Sequence, residues 1–171
     1  MKKINFEDIQ EYSDLPEKIL NSSNEHIKYK TEQEVLREFN TEKWSLILND
    51  IASDKNINLH EIDQKMEAFD VMSPFFYKGD FYLASGKEVF NMHLEIFDKV
   101  ISKYINEHTA LVELGAGYGS KILNLSNKKK FHNVQLFAAE FTENGCNAIK
   151  QLSARMNKEV QVGYCDLKKH I

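Results

Sequence analysis

The chain has 171 residues, of which 42% are hydrophobic, and this is ordinary for a globular protein with a sizeable core. Its formal net charge of −4 argues against nucleic acid as a partner, because proteins that hold the phosphate backbone are usually basic. The first residues lack the apolar core of a signal peptide, no apolar run is long enough to span a membrane, and the two cysteines suit a reduced compartment, so we expect a cytoplasmic protein.

Residues 1–84 are predicted to form a helical N-terminal segment that ends in an aromatic linker. Thr31 and Glu34 match a capping box at the start of a long helix. Trp44 is expected to pack on the apolar face of that helix, and an aromatic platform for a substrate is the alternative. The aromatic-rich stretch 71–83 contains proline and glycine and is interpreted as a loop or short strand. It either covers a bound ligand or plugs the space between two subdomains.

Residues 85–106 carry apolar side chains at helical spacing and predict an amphipathic helix. His93 lies on its apolar face, and we interpret it as a buried, hydrogen-bonded histidine. The other histidines are scattered, and the two cysteines, Cys146 and Cys165, lack the spacing of metal ligands. No metal site is therefore predicted.

A short apolar run at residues 110–114, broken only by Glu113, predicts a buried parallel strand. Three glycines follow at alternate positions, Gly115, Gly117 and Gly119, and a helix is predicted to begin after them. Glycine has no β-carbon and adopts positive φ angles, so such a turn lets the backbone approach a ligand closely. The stretch therefore predicts a ligand-binding loop.

Two further buried strands are predicted at residues 134–140 and 160–166, and each ends in a carboxylate. Glu140 follows the last glycine of the loop by 21 residues, a position from which an acidic side chain can bind both hydroxyls of a ribose. The alternative to ligand binding is that Glu140 is a solvated strand end and that Asp166 is a helix N-cap. Thr142 is predicted to cap the helix after the second strand.

The spacing of Glu113, Gly115, Gly117 and Gly119 resembles the first motif of S-adenosylmethionine-dependent methyltransferases with the Rossmann-like fold. The resemblance covers the chain from about residue 85 onward. It implies an α/β fold with a Rossmann-like parallel three-layer sheet, of which the chain contains the first three strands after a helical N-terminal segment. Residues 85–171 would then be the N-terminal half of the cofactor-binding domain.

This resemblance also implies the parts of a site for the cofactor S-adenosyl-L-methionine. The three glycines would shape the loop under its methionine part, and Glu113 would fix this loop and, directly or through water, the methionine amino group. Glu140 would bind the ribose, with Phe141 and Asp166 around the adenine. It names no catalytic residue, and the methyl acceptor stays unknown.

In this family the acceptor-binding groups follow the third strand, so we expect the chain to be a fragment of a longer methyltransferase and to be inactive alone. The first strand of such a half-sheet would have an unpaired apolar edge. The alternatives to a fragment are that another chain supplies the missing half, or that two copies of this chain form a homo-oligomer through this edge.

Two other functions stay open. One is an NAD-dependent oxidoreductase, although Ser120 occupies the position of the third glycine in the dinucleotide fingerprint. The other is a non-catalytic interaction module on a nucleotide-binding fold.

Overall fold

The structure is a computed structural model that describes residues 1–14, 17, 30–106 and 109–166. Among these residues, no helix has the length and apolar character needed to cross a membrane. The elements in chain order are strand β1 (Lys2–Ile4), a 3-10 helix (Phe6–Glu11), helix α1 (Glu32–Leu36), a π-helix (Arg37–Trp44), α2 (Ser45–Ser53), α3 (Leu59–Met66), β2 (Met72–Tyr77), β3 (Asp80–Ser85), α4 (Gly86–Ile101), β4 (Ala110–Leu114), α5 (Ser120–Ser126), a 3-10 helix (Lys129–Phe131), β5 (Gln135–Glu140), α6 (Glu143–Arg155) and β6 (Val160–Tyr164).

The chain folds as two compact units, and each unit combines two segments of the sequence. Residues 1–29 and 63–93 form the first, and residues 30–62 and 94–171 form the second. The predicted boundary between residues 84 and 85 falls inside the first unit. The described part of the segment before this boundary contains three strands as well as helices.

The first unit contains an antiparallel sheet in the order β1–β3–β2. Strands β2 and β3 form a hairpin whose two turn residues, Lys78 and Gly79, have φ angles of 51° and 92°. Positive φ at both positions is typical of the type I′ turn that suits the twist of a hairpin. The aromatic-rich stretch, predicted as a loop or a short strand, is therefore an ordered pair of strands.

The second unit contains a parallel sheet in the order β4–β5–β6, with β5 in the centre. Helices α5 and α6 connect consecutive strands, as in a βαβαβ arrangement. The predicted α/β class and the three parallel strands are confirmed by this unit.

The two faces of the parallel sheet differ in burial among the described residues. Leu136, Ala138 and Glu140 of β5 are buried on one face. The opposite face carries Val112 and Leu114, whose side chains are 53% and 60% exposed. The predicted three-layer arrangement stays a prediction, since the described residues leave these two side chains of the second face exposed.

A continuous helical run from Glu32 to Ser53 belongs to the same unit as the parallel sheet. The predicted capping box is present: Thr31 Oγ1 accepts a hydrogen bond from Glu34 N at 3.2 Å, and Glu34 Oε2 accepts one from Thr31 N at 2.8 Å. The middle of the run, Arg37–Trp44, is a π-helix. Such segments are rare and often occur at functional sites.

The basic run after α5 is held by an acidic residue of α4. Lys128 and Lys130 both form ion pairs with Asp98, the former with Nζ 2.9 Å from Oδ2. Burial disfavours the charged carboxylate, but the hydrogen bonds from the two lysines outweigh it and lower the pKa of Asp98 to about 2. These lysines therefore join two elements of the unit.

Candidate functional site

The glycine loop connects the end of β4 to the start of α5. Gly115, Gly117 and Gly119 have φ angles of 67°, 59° and 82°, which lie in the left-handed region where other residues are strained. The glycines occupy alternate positions because the backbone enters the left-handed region at every second residue of the loop.

The loop is fixed to the neighbouring strand by its backbone. Gly115 N and Ala116 N both donate to the carbonyl oxygen of Ala139, at 2.8 and 3.1 Å. Gly119 is further restricted by packing, since a β-carbon there would lie 2.9 Å from Cγ1 of Ile149 on α6. A β-carbon on Gly115 would have no atom of another described residue, apart from its chain neighbours, within 4 Å. The loop is therefore packed at its helix end and open at its strand end.

Glu140 anchors this loop from the end of β5. Its side chain is buried, with a residue exposure of 2%. Oε2 accepts a hydrogen bond from Gly117 N at 2.9 Å, and Oε1 accepts from Thr142 N and Thr142 Oγ1 at 3.0 and 2.6 Å. Both carboxylate oxygens of Glu140 thus bind the chain itself in this structure, and ribose binding stays a prediction.

Glu113 binds the other end of the loop. Its Oε2 accepts a hydrogen bond from Ile122 N, in the first turn of α5, at 3.1 Å. Burial raises the pKa of Glu113, while the nearby charge of Lys121 and the Ile122 N–H oppose this rise. Two carboxylates, one from β4 and one from β5, thus fix the glycine loop from within the chain.

Trp44, at the end of the π-helix, packs on the glycine loop. A β-carbon on Gly117 would lie 3.1 Å from Cζ2 of the indole, a tight contact, and the φ of 59° at this position also favours glycine. The ring centroids of Trp44 and Tyr118 are 5.5 Å apart, and Phe39 lies 5.7 Å from Trp44 and 6.4 Å from Phe141. Trp44 therefore packs as predicted, and its partners are Phe39 of the same helical run and, in addition, the glycine loop.

Polar contacts hold the helical run on α6. Asn40 Oδ1 accepts from Asn144 N, and Asn144 Nδ2 donates to the Asn40 carbonyl oxygen, both at 2.8 Å. At the other end, Arg155 donates to the carbonyl oxygens of Ile51, Asp54 and Ile57 near the end of α2. The helical run is thus fixed at two points along α6.

A cavity of about 320 Å³ lies at the carboxyl ends of the parallel strands. It brings together three of the predicted site residues, Gly115, Phe141 and Asp166, each of which follows a different strand. Glu113, Gly117, Gly119 and Glu140 do not line it. Lys30, Glu32, Val35 and Cys165 complete the wall.

Sequence reasoning missed three cavity residues: Glu32 and Val35 from the first turn of the helical run, and Lys30, which precedes its cap. The capping box at Thr31 and Glu34 marks where the helix begins, yet no local pattern indicates which surface its first turn faces. Lys30 also forms an ion pair with Glu38, which Lys43 shares at 2.9 Å. The hydrogen bonds from these two lysines lower the pKa of Glu38 to about 2.

No family model and no curated protein matches this sequence. Among solved structures, the chain is similar to coclaurine N-methyltransferase bound to N-methylheliamine and SAH, with 18% sequence identity and a TM-score of 0.46. The similarity covers 98% of this chain and 46% of that chain, so this chain spans about half the length of that enzyme.

Proposed function

We propose that this chain binds S-adenosylmethionine and forms the cofactor-binding part of a methyltransferase whose acceptor is unidentified. The observation that carries the proposal is the cavity lined by Gly115, Phe141 and Asp166. In open α/β sheets, ligands bind beyond the carboxyl ends of the strands, and these residues follow the three parallel strands. The volume of about 320 Å³ lies in the range of small-molecule sites.

The residues of the cavity fit the chemistry of this cofactor. Phe141 offers an aromatic ring for an adenine, and the Asp166 carboxylate is an acceptor for the adenine amino group. Val35 supplies an apolar wall from the helical run. Gly115 leaves the strand end of the loop free of side-chain atoms, so the backbone is open to a ligand.

When bound, S-adenosylmethionine supplies a methyl group on a sulfonium sulfur: an acceptor lone pair forms the new bond to carbon, and the electrons of the broken carbon–sulfur bond return to sulfur. The residues of this chain would bind and orient the reactants, which is the main requirement of such an in-line displacement. As the resemblance to the family implies, we expect the acceptor groups to lie outside the described residues, and the chain alone to transfer no methyl group.

The first experiment is a calorimetric titration of the purified chain with S-adenosylhomocysteine, the product of the cofactor. Asp166→Ala is expected to weaken binding about tenfold, because a charged acceptor is lost. Glu159→Ala is the matched control, since Glu159 is an exposed carboxylate just before the opposite end of the same strand. It should leave binding unchanged.

The same titration with NADH tests the main alternative. Binding of NADH in place of S-adenosylhomocysteine would contradict the proposal and favour an oxidoreductase. A folded chain that binds neither compound would favour a non-catalytic interaction module.

A further inference from the structure

The wall of the cavity at the strand ends carries two carboxylates among the residues that the structure describes, those of Glu32 and Asp166. The proposed function uses Asp166 as the acceptor for the adenine amino group. In S-adenosylmethionine the ribose is bonded to the adenine, and its two hydroxyl groups are donors that need acceptors. An acceptor for the ribose is therefore expected in the same cavity.

Glu140, the residue predicted to bind the ribose, is engaged elsewhere. The residue is 2% exposed and does not line the cavity. Its Oε2 accepts a hydrogen bond from Gly117 N, and its Oε1 accepts from Thr142 N and Thr142 Oγ1. Turning this carboxylate toward a ligand would leave these donors without an acceptor, which carries a free-energy penalty. An acceptor that already lines the cavity avoids this penalty.

Glu32 offers its carboxylate from the first turn of the helical run. It is an exposed residue that lines the cavity together with Val35, which lies three residues later on the same face of the helix. The side chains of Thr31 and Glu34 cap this helix, so the cap is complete without the carboxylate of Glu32. The Glu32 side chain is therefore not required for the start of the helix.

Contacts further along the helical run fix its position beside the cavity. Asn40 accepts a hydrogen bond from Asn144 N on Oδ1 and another from Asn144 Nδ2 on its carbonyl oxygen, both at 2.8 Å. The ring of Phe39 lies 6.4 Å from that of Phe141, which itself lines the cavity. A carboxylate on a helix held in this way is preorganised to meet a ligand, which lowers the entropic penalty of binding.

We propose that Glu32 accepts hydrogen bonds from the ribose hydroxyl groups of bound S-adenosylmethionine, and that Glu140 keeps its contacts with the glycine loop. This inference rests on the proposed function and adds a residue from outside the glycine motif to the site. A carboxylate has two acceptor oxygens for the two hydroxyl groups, and a hydrogen bond to an ionised acceptor is stronger than one to a neutral acceptor. The two carboxylates then have separate tasks: Glu140 shapes the loop, and Glu32 recognises the sugar.

The test compares the affinity of two ligands by calorimetry. S-adenosylhomocysteine has both ribose hydroxyl groups, and its 2′,3′-dideoxy analogue lacks both. We expect wild type to bind S-adenosylhomocysteine about tenfold more tightly than the analogue, because the analogue makes no hydrogen bond to the charged acceptor. The ratio of the two affinities isolates the ribose contact, since a change in the packing of the cavity affects both ligands alike.

Three variants assign the ribose contact to a residue. Glu32→Ala should bind the two ligands with equal affinity, because the acceptor of the hydroxyl groups is gone. Glu140→Gln keeps acceptor capacity for the loop and should retain the tenfold preference of wild type. Glu42→Ala removes an exposed carboxylate, paired with Arg37, from the same helical run. It is the matched control and should also retain the preference.

The contrary results separate this inference from the proposed function. A tenfold preference that persists in Glu32→Ala would overturn the inference and leave the proposed function intact. A preference that is lost in Glu140→Gln would overturn it as well and assign the ribose to Glu140. Equal binding of both ligands by wild type would also overturn it, because no ribose acceptor would then be present. Failure of folded wild type to bind S-adenosylhomocysteine would overturn the proposed function, and this inference with it.

A second measurement needs no variant. Amide hydrogen exchange in α1 of wild type reports how firmly this turn is held when a ligand is bound. We expect exchange in α1 to be slower with saturating S-adenosylhomocysteine than with the saturating dideoxy analogue, because only the former binds Glu32 through its hydroxyl groups. Equal exchange in α1 with the two bound ligands would overturn the role of Glu32 even if Glu32→Ala fails to fold.

Discussion

At the scale of single residues, the sequence pattern around Glu140 does not distinguish a side chain that binds ribose from one that fixes the glycine loop. An acidic residue at the end of the second strand predicts a ligand for ribose. In the structure its carboxylate is buried and receives three hydrogen bonds, one from Gly117 and two from Thr142. Its removal would therefore disturb the loop as well as any ligand contact.

We predict that Glu140→Ala lowers the free energy of unfolding by about 3 kcal/mol, since the variant leaves buried donors of Gly117 and Thr142 without acceptors. Urea denaturation at pH 7 measures this loss. Glu140→Gln retains acceptor capacity and should lose less, and Glu143→Ala, a change at an exposed carboxylate in the first turn of α6, is the control for charge. A loss no larger than that of Glu143→Ala would contradict the anchoring role.

Glu113 gives a prediction of pH dependence. Burial raises its pKa above the ordinary value of 4.5, so the native state penalises the charged form. The contribution of this group to stability is therefore fully present below pH 4.5 and is lost as the pH rises through the raised pKa. Glu113→Gln keeps an acceptor for Ile122 N and does not ionise.

Between pH 4 and pH 8 the free energy of unfolding of wild type should therefore fall relative to that of Glu113→Gln, because only wild type ionises this buried group. Urea denaturation of both proteins across this range measures the difference. A constant difference between the two proteins over the range would show that Glu113 does not titrate differently in the folded and unfolded states.

At the scale of elements, the helical run Glu32–Ser53 supplies the part of the site that no motif indicates. Its first turn contributes Glu32 and Val35 to the cavity, and its π-helix brings Trp44 to the glycine loop. Arg155 holds the far end by donating to three carbonyl groups near the end of α2. The guanidinium group suits this task because its donors point in fixed, divergent directions.

We predict that Arg155→Ala lowers the free energy of unfolding by about 1 kcal/mol and speeds amide hydrogen exchange in α2, because three carbonyl groups lose their donor. Arg155→Lys is the matched variant: it retains the charge, but one ammonium group cannot reach all three acceptors in the same geometry. Exchange in α2 that is equal in wild type and Arg155→Ala would contradict this role.

At the scale of the whole molecule, the parallel sheet has an unpaired edge among the described residues. Strand β4 pairs only with β5, and Val112 and Leu114 are 53% and 60% exposed. An apolar edge strand is a template for pairing with another chain. We therefore propose self-association through β4, which was one of the alternatives that the sequence left open.

We predict that Leu114→Lys shifts the chain toward monomer at concentrations where wild type associates, because a charge on an edge strand disfavours pairing. Sedimentation velocity over a concentration series measures the shift. Gln161→Lys adds the same charge at an exposed position of β6 and should leave association unchanged. Wild type that stays monomeric throughout the series would rule out pairing through β4.

Several features of the fold were predictable because they depend on neighbours in the sequence. The caps at Thr31 and Thr142 require only residues within three positions, and both are present. The glycine turn is similar, because positive φ angles at three positions leave glycine as the least strained residue. Alternating and continuous apolar runs likewise determined the parallel strands.

The antiparallel sheet of the first unit was less predictable. Strand β1 has only three residues, too few for a period of two to be recognised, and it pairs with β3 from the other end of the segment. Its existence depends on that partner, since a strand gains its hydrogen bonds from elsewhere in the chain.

The sequence by itself determined the class of the parallel unit, its glycine loop and the carboxylates that follow its strands. Only the tertiary structure decided what those groups touch: Glu140 binds the loop, and Trp44 packs on Gly117. Local backbone preferences act over three or four residues and leave a pattern in the sequence. Contacts between distant segments depend on how whole helices pack, and many different sequences meet that requirement equally well.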